Sequence, residues 1–351
     1  MNKKYFKNIL RHFLIWTFAI AFWSLMRNFG QEVVTEYPSP INFSQYFRAT
    51  VALGFVAGII FGSLEFIYET KLFRRISLGK MMLLGVTSYL VCILIFTVFG
   101  VRIFSKVIGV ELNWKLFQDF IISKEMILLT IYCFIVGFLI DLFKQVDKKL
   151  GPGNLLKMLK GEFYNPKEDE RIFMFLDLKS STAIAEKLGH LEYSSLIQDC
   201  FIDLEVVEKY HAEIYQYVGD EAVLTWKREI GLSDSNCLKA FFEFRNRLQK
   251  RSDYYMDKYG LIPEFKAGLN IGKITIAEVG QIKTEIAYHG DTINTAARIQ
   301  DQCNNLGKTL LISEELQKNL VNITEYSSEH VGDLLLKGKS RKVNIYSVEV
   351  A

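Results

Sequence analysis

The sequence predicts a helical membrane module followed by an α+β domain, and three observations lead to this division. Long uncharged apolar runs crowd into the first 143 of the 351 positions. The C-terminal half instead contains short apolar runs that end in acidic residues, a pattern typical of buried strands. A later segment there opens a helix with an asparagine and an arginine four residues apart. We therefore expect a transmembrane four-helix module (1–143), a connector (144–169) and a C-terminal domain (170–351).

Overall composition argues against two classes of protein. The formal net charge is only +3, and no run of basic residues alternates with aromatic ones, so we predict no nucleic-acid partner. The five cysteines include no C-x-x-C pair, and two of them lie in apolar runs. A disulfide framework and a structural zinc site are both poorly supported by this spacing.

The clearest membrane span is residues 81–101, which contain no charge and are flanked by Lys80 and Arg102. About 20 apolar residues are needed for a helix to cross the hydrocarbon core. Three shorter uncharged runs are 13–26, 49–64 and 126–140. Basic side chains at their ends can reach the interface and lengthen the effective span. We predict four spans in a lipid bilayer, with a soluble helical bundle as the alternative.

Basic residues in the short connections predict the orientation of these spans. The first residues of the chain, the second connection and the segment after the fourth span are rich in lysine and arginine, whereas residues 28–47 contain neither. The third connection is mixed and mildly opposes the rule. An even number of spans places both ends on one side. We therefore expect a multi-pass protein of the cell (inner) membrane, with its N-terminus and C-terminal domain in the cytoplasm.

Two acidic residues lie at the inner end of the second predicted span. Glu65 and Glu69 are four residues apart and so share one face of a helix. One interpretation is a site for a ligand or cation. The other is an interfacial pair that is balanced by Arg74 and Arg75.

Two aspartates in the C-terminal domain follow predicted strands. The apolar run 171–178 predicts a buried strand that carries Asp177 at its end, and 212–218 and 222–226 predict a hairpin with Asp220 in its Gly-Asp turn. We expect the two carboxylates to converge and to suit divalent cations that carry a polyphosphate. The polar turn 179–182 leads from the first strand into a helix, whose free N–H groups suit phosphate.

A third element begins at the sequence GDTINTAAR. Asp291 or Thr292 is the expected cap of this helix. Asn294 and Arg298 are four residues apart and therefore lie on one helix face. An amide beside a guanidinium suits the negative charge that develops on a phosphoryl group.

Five ordered blocks carry a resemblance to a known family, and they read FLDLKSST, YVGDEAVLTW, LNIGKITIAEVG, YHGDTINTAARI and LKGKSRKVNIYSV. In order and spacing they resemble the class III adenylate/guanylate cyclases of the membrane-anchored bacterial type, over about residues 170–350. The resemblance implies a ferredoxin-like α+β domain that works as a head-to-tail homodimer. It also implies conversion of a nucleoside triphosphate, most often ATP, to the 3′,5′-cyclic monophosphate and pyrophosphate.

The resemblance assigns roles to individual positions. It implies that two Mg²⁺ or Mn²⁺ ions are held by Asp177, the backbone carbonyl of Leu178, and Asp220. It implies that Asn294 and Arg298 act on the transition state, and that these two groups meet only across the dimer. It implies a phosphate-contacting lysine at Lys337, with Lys339 as a substitute.

Two positions depart from the family pattern. The adenine-reading lysine of the family is replaced by Gln216, and its usual Asp or Thr partner is replaced by Ala287. Glutamine can both donate and accept hydrogen bonds, so it does not choose between adenine and guanine. ATP is the substrate that the family as a whole favours, and GTP or a pyrimidine triphosphate is the alternative.

Three other functions compete with this interpretation. A diguanylate cyclase also joins membrane spans to a ferredoxin-like domain, but VGDEA lacks the second glycine and the phenylalanine of its GGDEF motif. A catalytically silent membrane sensor or scaffold would retain the cyclase fold without turnover. A transporter or channel usually has paired charges near the middle of its spans, and none of the predicted spans has such a pair.

Overall fold

A computed structural model describes residues 3–28, 43–68, 114–151, 153–321, 325–334 and 342–351, with separate positions between 80 and 106. The chain divides into two compact units, Met1–Val146 and Asp147–Ala351. The boundary falls inside a long helix, close to the predicted start of the connector.

The long described stretches of the N-terminal unit are helical. Its helices are α1 (Lys3–Asn28), α2 (Phe43–Tyr68), α3 (Trp114–Ile121) and α4 (Lys124–Leu150). Thr50–Ile67 and Met126–Leu150 have the length and hydropathy of membrane spans, and the apolar stretch Asn8–Trp23 of α1 is shorter. The predicted span 81–101 lies, as a continuous segment, outside the described residues. Two of the four predicted spans thus have support from length and composition, and the four-helix bundle stays a prediction.

Helices α1 and α2 pack closely because α2 has glycines along the face that meets α1. These glycines are spaced by four residues and are Gly54, Gly58 and Gly62. A Cβ atom added to any of them would lie 2.7–2.8 Å from a Cα atom of α1. Small residues at this spacing allow the backbones of two helices to approach each other. The sequence GxxxGxxxG therefore stabilises this antiparallel pair by close van der Waals packing.

One charged cluster joins three helices of the N-terminal unit. Glu65 of α2 forms an ion pair with Arg11, accepts a 2.6 Å hydrogen bond from His12, and lies 3.1 Å from the Lys144 ammonium of α4. The described partners of Glu65 therefore belong to α1 and α4. Its predicted neighbours Glu69, Arg74 and Arg75 lie outside the described residues.

The C-terminal unit is built on one mixed sheet. Its strands are β1 (Lys167–Leu178), β2 (Glu213–Val218), β3 (Glu221–Lys227), β4 (Phe265–Val279), β5 (Glu285–His289), β6 (Leu310–Ser313), β7 (Tyr326–Leu334) and β8 (Val343–Val350). The strand order is β2-β3-β1-β4-β6-β8-β7, and β5 pairs with β4 as a hairpin. Only the β4–β6 pair is parallel among the described pairs. This sheet agrees with the predicted α+β class.

Helices cover both faces of the sheet. They are α5 (Asn154–Leu159), α6 (Ser181–Asp203), α7 (Arg228–Leu232), α8 (Asn236–Gln249), α9 (Ser252–Tyr259), α10 (Asp291–Leu306) and α11 (Glu314–Asn319). Side chains of β1 alternate between the two faces, as a strand requires. Met174 and Leu176 pack with α6 and α8 in one buried cluster, whereas Phe173 packs with Ala296 of α10 in another. We call these sides the α6 face and the α10 face.

Helix α10 lies directly on β4 because alternate β4 residues there are small or polar. Gly268 faces the backbone of α10, and a Cβ at this position would lie 2.2 Å from the backbone N of Gln300. Asn270 donates a 3.0 Å hydrogen bond to the carbonyl of Thr292, which binds the start of α10 to the sheet. The strand thus determines how closely α10 approaches the end of β1.

We expect Gly268→Ala to displace α10 and to lower the stability of the C-terminal unit by about 1–3 kcal/mol, the usual cost of overpacking a core. The added methyl meets backbone atoms, which cannot rotate away. Gly272→Ala is the matched comparison and should cost less, because the nearest atoms there belong to the Thr292 side chain, which can rotate at the cost of one hydrogen bond to Lys273 without moving the helix backbone. Thermal unfolding of both variants measures the difference. Equal transition temperatures for the two variants would contradict this account of the helix position.

Candidate active site

The ends of β1 and of the β2–β3 hairpin meet at one edge of the sheet. β1 and β3 are antiparallel, with Leu176 opposite Ala222 at the last paired position. Continuing this register by one residue places Asp177 opposite Glu221, next to Asp220. Residues opposite each other in an antiparallel pair have Cβ atoms about 4.5–5.5 Å apart. The structure therefore brings the two predicted metal-binding aspartates together.

Asp177 is held by two buried side chains on other elements. Its Oδ2 atom lies 3.2 Å from the Nζ of Lys266 on β4 and accepts a 3.0 Å hydrogen bond from the Nε2 of Gln300 on α10. Lys266 is directly opposite Asp177 in the β1–β4 register. Burial, and then the negative charge of Asp220, raise the pKa of the Asp177 carboxyl above its usual value. The site thus concentrates negative charge that a cation would stabilise.

Asp220 supplies the second carboxylate, and one of its oxygens has no partner. Its Oδ2 is buried and makes no hydrogen bond. Burial and then the charge of Asp220 raise the pKa of Tyr193 to about 12, so this hydroxyl also borders the site. A buried carboxylate oxygen without a donor is costly unless a cation or a ligand satisfies it. This orphan oxygen is the feature of the structure that best fits a metal ion.

The donor set here is small. Leu178 ends β1 and is buried, and because its side chain is a hydrocarbon, only its backbone carbonyl can contribute a ligand oxygen. In the part of the chain that the structure describes, no three His, Cys, Asp or Glu side chains are grouped to hold a metal. Two carboxylates and one carbonyl still fit Mg²⁺, which is usually bound by one or two carboxylates plus substrate phosphates and water.

Glu221 adds a third carboxylate beside the aspartate pair, and Asp301 lies close enough to interact with Glu221. Burial, followed by the charges of Asp177 and Asp301, raises the pKa of Glu221 to about 7. Glu221 follows Asp220 directly in the sequence, so the predicted hairpin also predicts that Glu221 lies at the site. Asp301 and Gln300 come from α10, and no local pattern in the sequence indicates them. Lys266 does leave a signal, since it is a lone charge at the start of an apolar strand.

The turn after β1 has the form that was predicted for phosphate contacts. Ser180 has a left-handed backbone (φ 58°), and α6 begins at Ser181 without a side-chain cap. The N–H groups in the first turn of a helix have no partner within the helix. They therefore remain as donors beside the carboxylate pair.

Helix α10 begins where the sequence predicts, but its cap is different. The residue before the helix is Gly290, no side chain caps the helix, and Asp291 is its first residue. The Thr292 hydroxyl donates instead to the carbonyl of Lys273 on β4, at 2.8 Å. The expected cap at Asp291 or Thr292 is therefore wrong, because contact with the sheet holds the threonine side chain.

Asn294 and Arg298 share one face of α10, and that face is not the one that meets Asp177. Asn294 is exposed and Arg298 is half-buried, whereas Gln300 is buried against the site. With 3.6 residues per turn, Gln300 lies about 160° around the helix from Arg298. The chain thus presents its aspartate pair and its Asn/Arg pair in different directions.

The two positions expected to read the base lie on β2 and β5. A bulge at Tyr215 shifts the register, so that Gln216 pairs with Val223 and is exposed on the α10 face. Ala287 pairs with Ala277 on β4. The two segments approach through their neighbours, since the rings of Tyr215 and Tyr288 are 4.7 Å apart.

The predicted phosphate-contacting lysine cannot be placed. Lys337 and its substitute Lys339 lie outside the described residues. The flanking strands β7 and β8 are described and pair antiparallel along their length. The role of Lys337 therefore stays a prediction from the resemblance.

Comparison with known proteins identifies the family of the C-terminal unit. A family model described as the adenylate and guanylate cyclase catalytic domain matches residues 163–350, more than half of the chain. The chain belongs to this family. The match begins just before β1 and ends at the last residue of β8, so it includes every described strand of the cyclase domain.

Individual relatives agree with this assignment. Adenylate cyclase 2 of Rhizobium meliloti (strain 1021) is 33% identical over 205 residues, which are 58% of this chain and 56% of that protein. The receptor-type guanylate cyclase gcy-4 of Caenorhabditis elegans is 26% identical over 215 residues, or 56% of this chain and 18% of that protein. The chain thus matches about half or less of the length of these relatives.

One solved structure is similar in fold. A bacterial light-regulated adenylyl cyclase superposes with a TM-score of 0.55 at 18% identity, covering 65% of this chain and 66% of that chain. At this identity the likeness concerns the fold alone. It supports the arrangement of sheet and helices on which the aspartate pair is built.

Proposed function

We propose that this cyclase-family chain is a membrane-anchored class III nucleotide cyclase that converts ATP to 3′,5′-cyclic AMP and pyrophosphate. One observation carries the proposal, namely the convergence of Asp177 with Asp220, whose buried Oδ2 has no partner. Buried acids without a structural partner are costly, and they are kept where they serve a ligand. Family membership supports a metal-bound nucleoside triphosphate as this ligand.

The residues at the strand ends fit two Mg²⁺ or Mn²⁺ ions. Asp177, Asp220 and the carbonyl of Leu178 would hold them. When bound, such ions favour ionisation of the ribose 3′-hydroxyl and neutralise the triphosphate. The uncapped first turn of α6 donates N–H groups toward the phosphates, and Lys337 is assigned the same task by the family resemblance.

Asn294 and Arg298 serve the transition state from a second copy of the chain. Because the face of α10 that carries them turns away from the chain's own aspartates, a homodimer is the arrangement that joins both sets. Arg298 neutralises the negative charge that grows on the α-phosphate, and Asn294 orients the ribose. Each homodimer then contains two complete sites, and a monomer contains none.

The choice of ATP rests on the relatives more than on the base pocket. The Rhizobium meliloti relative carries the name of an adenylate cyclase and has the higher identity of the two relatives described. Gln216 is exposed, and its amide can hydrogen-bond to adenine or to guanine, because it carries both a donor and an acceptor. Ala287 offers no polar contact. GTP is the second candidate, favoured by the match to a receptor-type guanylate cyclase.

The N-terminal unit anchors the enzyme in the cell (inner) membrane. The apolar stretches of α2 and α4 support two of the four spans, and the basic residues at the inner ends of the spans support a cytoplasmic N-terminus and catalytic domain. In this arrangement the catalytic domain has access to cytoplasmic nucleotides.

The test is to give the detergent-purified full chain each of the four nucleoside triphosphates with Mn²⁺ and to identify the products by mass. We expect cyclic AMP and pyrophosphate as the main products, loss of turnover with EDTA, and recovery with added Mn²⁺. Cyclic GMP as the main product would overturn the base assignment, and cyclic di-GMP would indicate a diguanylate cyclase. No cyclic product from any substrate would make the chain a silent sensor or scaffold.

A further inference from the structure

The carboxylate of Asp177 is bonded from one side only. Both of its partners, the ammonium of Lys266 and the amide of Gln300, contact the same oxygen, Oδ2. Neither of these contacts involves Oδ1. A carboxylate that is free to rotate presents either oxygen in many directions, whereas two donors on one oxygen define the plane of the group.

Both partners are themselves held rigidly. Lys266 is 7% exposed and Gln300 is 3% exposed, so surrounding atoms restrict the motion of both side chains. The Gln300 backbone packs against Gly268, and Lys266 is in register with Asp177 across the sheet. The two donors therefore approach Asp177 from a strand and from a helix that are packed on each other.

Their chemistry suits support of a metal ligand. Lys266 brings a positive charge to a site that contains Asp177, Asp220 and Glu221, which allows these acids to stay close together. Gln300 has no charge, so its contribution is to orient the Asp177 carboxylate through one hydrogen bond. Side chains that orient a ligating carboxylate typically change metal affinity or activity by about 10–100-fold when they are removed.

We propose that Gln300 and Lys266 are positioning residues that hold Asp177 with Oδ1 free for a divalent cation. This inference rests on the proposed function, because it assumes that the aspartate pair binds a metal. It adds that the metal affinity of the site depends on α10, the helix that also carries Asn294 and Arg298. Movement of α10 would then change both the metal site of one chain and the transition-state groups that the chain lends to its partner.

The test compares Gln300→Met with Gln302→Met in the full-length protein. Methionine has a similar length and replaces the whole amide of Gln300, so the donor to Asp177 is lost while the bulk of the side chain is kept. Gln302 is two residues further on the same helix and contacts Asn305 instead of the site, so it is a matched control. Binding of Mn²⁺ is measured from the loss of the free-ion EPR signal, in the presence of a 3′-deoxynucleoside triphosphate, which lacks the attacking hydroxyl.

We expect Gln300→Met to weaken Mn²⁺ binding by about 10-fold or more and Gln302→Met to leave it unchanged. Wild-type affinity in Gln300→Met, or an equal loss in the control, would overturn the proposal. Should Gln300→Met lower the unfolding temperature, Lys266→Arg and Lys266→Met decide instead. Lys266→Arg keeps a donor to Asp177, so this variant should bind Mn²⁺ more tightly than Lys266→Met. Equal Mn²⁺ affinity of the two variants would overturn the proposal.

These outcomes are separable from failure of the proposed function. If the wild-type protein makes no cyclic product but binds Mn²⁺ with the predicted dependence on Gln300, the positioning proposal is supported and the proposed enzymatic function is refuted. If the wild-type protein makes cyclic AMP and Gln300→Met binds Mn²⁺ with wild-type affinity, the proposed enzymatic function is supported and the positioning proposal is refuted.

Discussion

A mixture of Asp220→Ala and Arg298→Ala proteins is expected to recover about a quarter of wild-type activity, although each variant alone is inactive. Removal of one charged group that acts in a transition state lowers the rate by about 10²–10³-fold. After random exchange of subunits, about half of the dimers are mixed, and a two-fold symmetric pair then has one intact site and one doubly impaired site. Steady-state production of cyclic nucleotide after exchange measures the recovery.

The control for this experiment mixes two variants from the same half of the site. Asp177→Ala and Asp220→Ala both remove metal ligands, so every site in their mixed dimers lacks one aspartate. This mixture should stay inactive. No recovery with Asp220→Ala and Arg298→Ala, once subunit exchange has been shown by differently labelled chains, would mean that the two sets of residues do not share a site.

The second large effect concerns stability. Asp203 ends α6 with a fully buried side chain and binds three groups that belong to α8, to α9 and to the turn between them. Its partners are Arg247 at 3.0 Å, Arg251 at 2.5 Å and Tyr255 at 2.7 Å. Removal of one member of a buried ion pair typically costs about 3–5 kcal/mol, because the remaining charges lose their counterion. We expect Asp203→Ala to lower the free energy of unfolding of the cyclase domain by this amount.

Denaturant titration followed by tryptophan fluorescence measures this loss, since Trp226 is fully buried in the same domain. Asp253→Ala is the control, because Asp253 lies on the neighbouring helix and is exposed. Surface substitutions of this kind usually change stability by less than about 0.5 kcal/mol. A loss below about 1 kcal/mol for Asp203→Ala would show that the network around it contributes little.

Those parts of the domain that have local signals were predictable from the sequence. The strand predicted at 171–178 is the C-terminal two thirds of β1 (Lys167–Leu178), and the predicted hairpin is β2 and β3. An apolar run that ends in an acid and a Gly-Asp turn are patterns of neighbouring residues, so they need no knowledge of distant contacts. The start of α10 was predictable for the same reason.

What could not be predicted depends on residues far apart in the chain. Gln300 meets Asp177 across 123 positions, and the ion pairs of Glu65 with Arg11 and Lys144 likewise join separate helices. Such contacts follow from strand register and helix packing, which a single sequence does not state. The cap of α10 failed for a related reason, because the sheet competes for the side chain of Thr292.

The bulge in β2 has a consequence for how substrate choice can change between lineages. Because Tyr215 is an extra residue, both it and Gln216 project on the α10 face, where the tyrosine ring packs and the glutamine stays exposed. One residue thus maintains the core while its neighbour is free to vary. If position 216 reads the base, a single codon change there can alter nucleotide preference without repacking the domain.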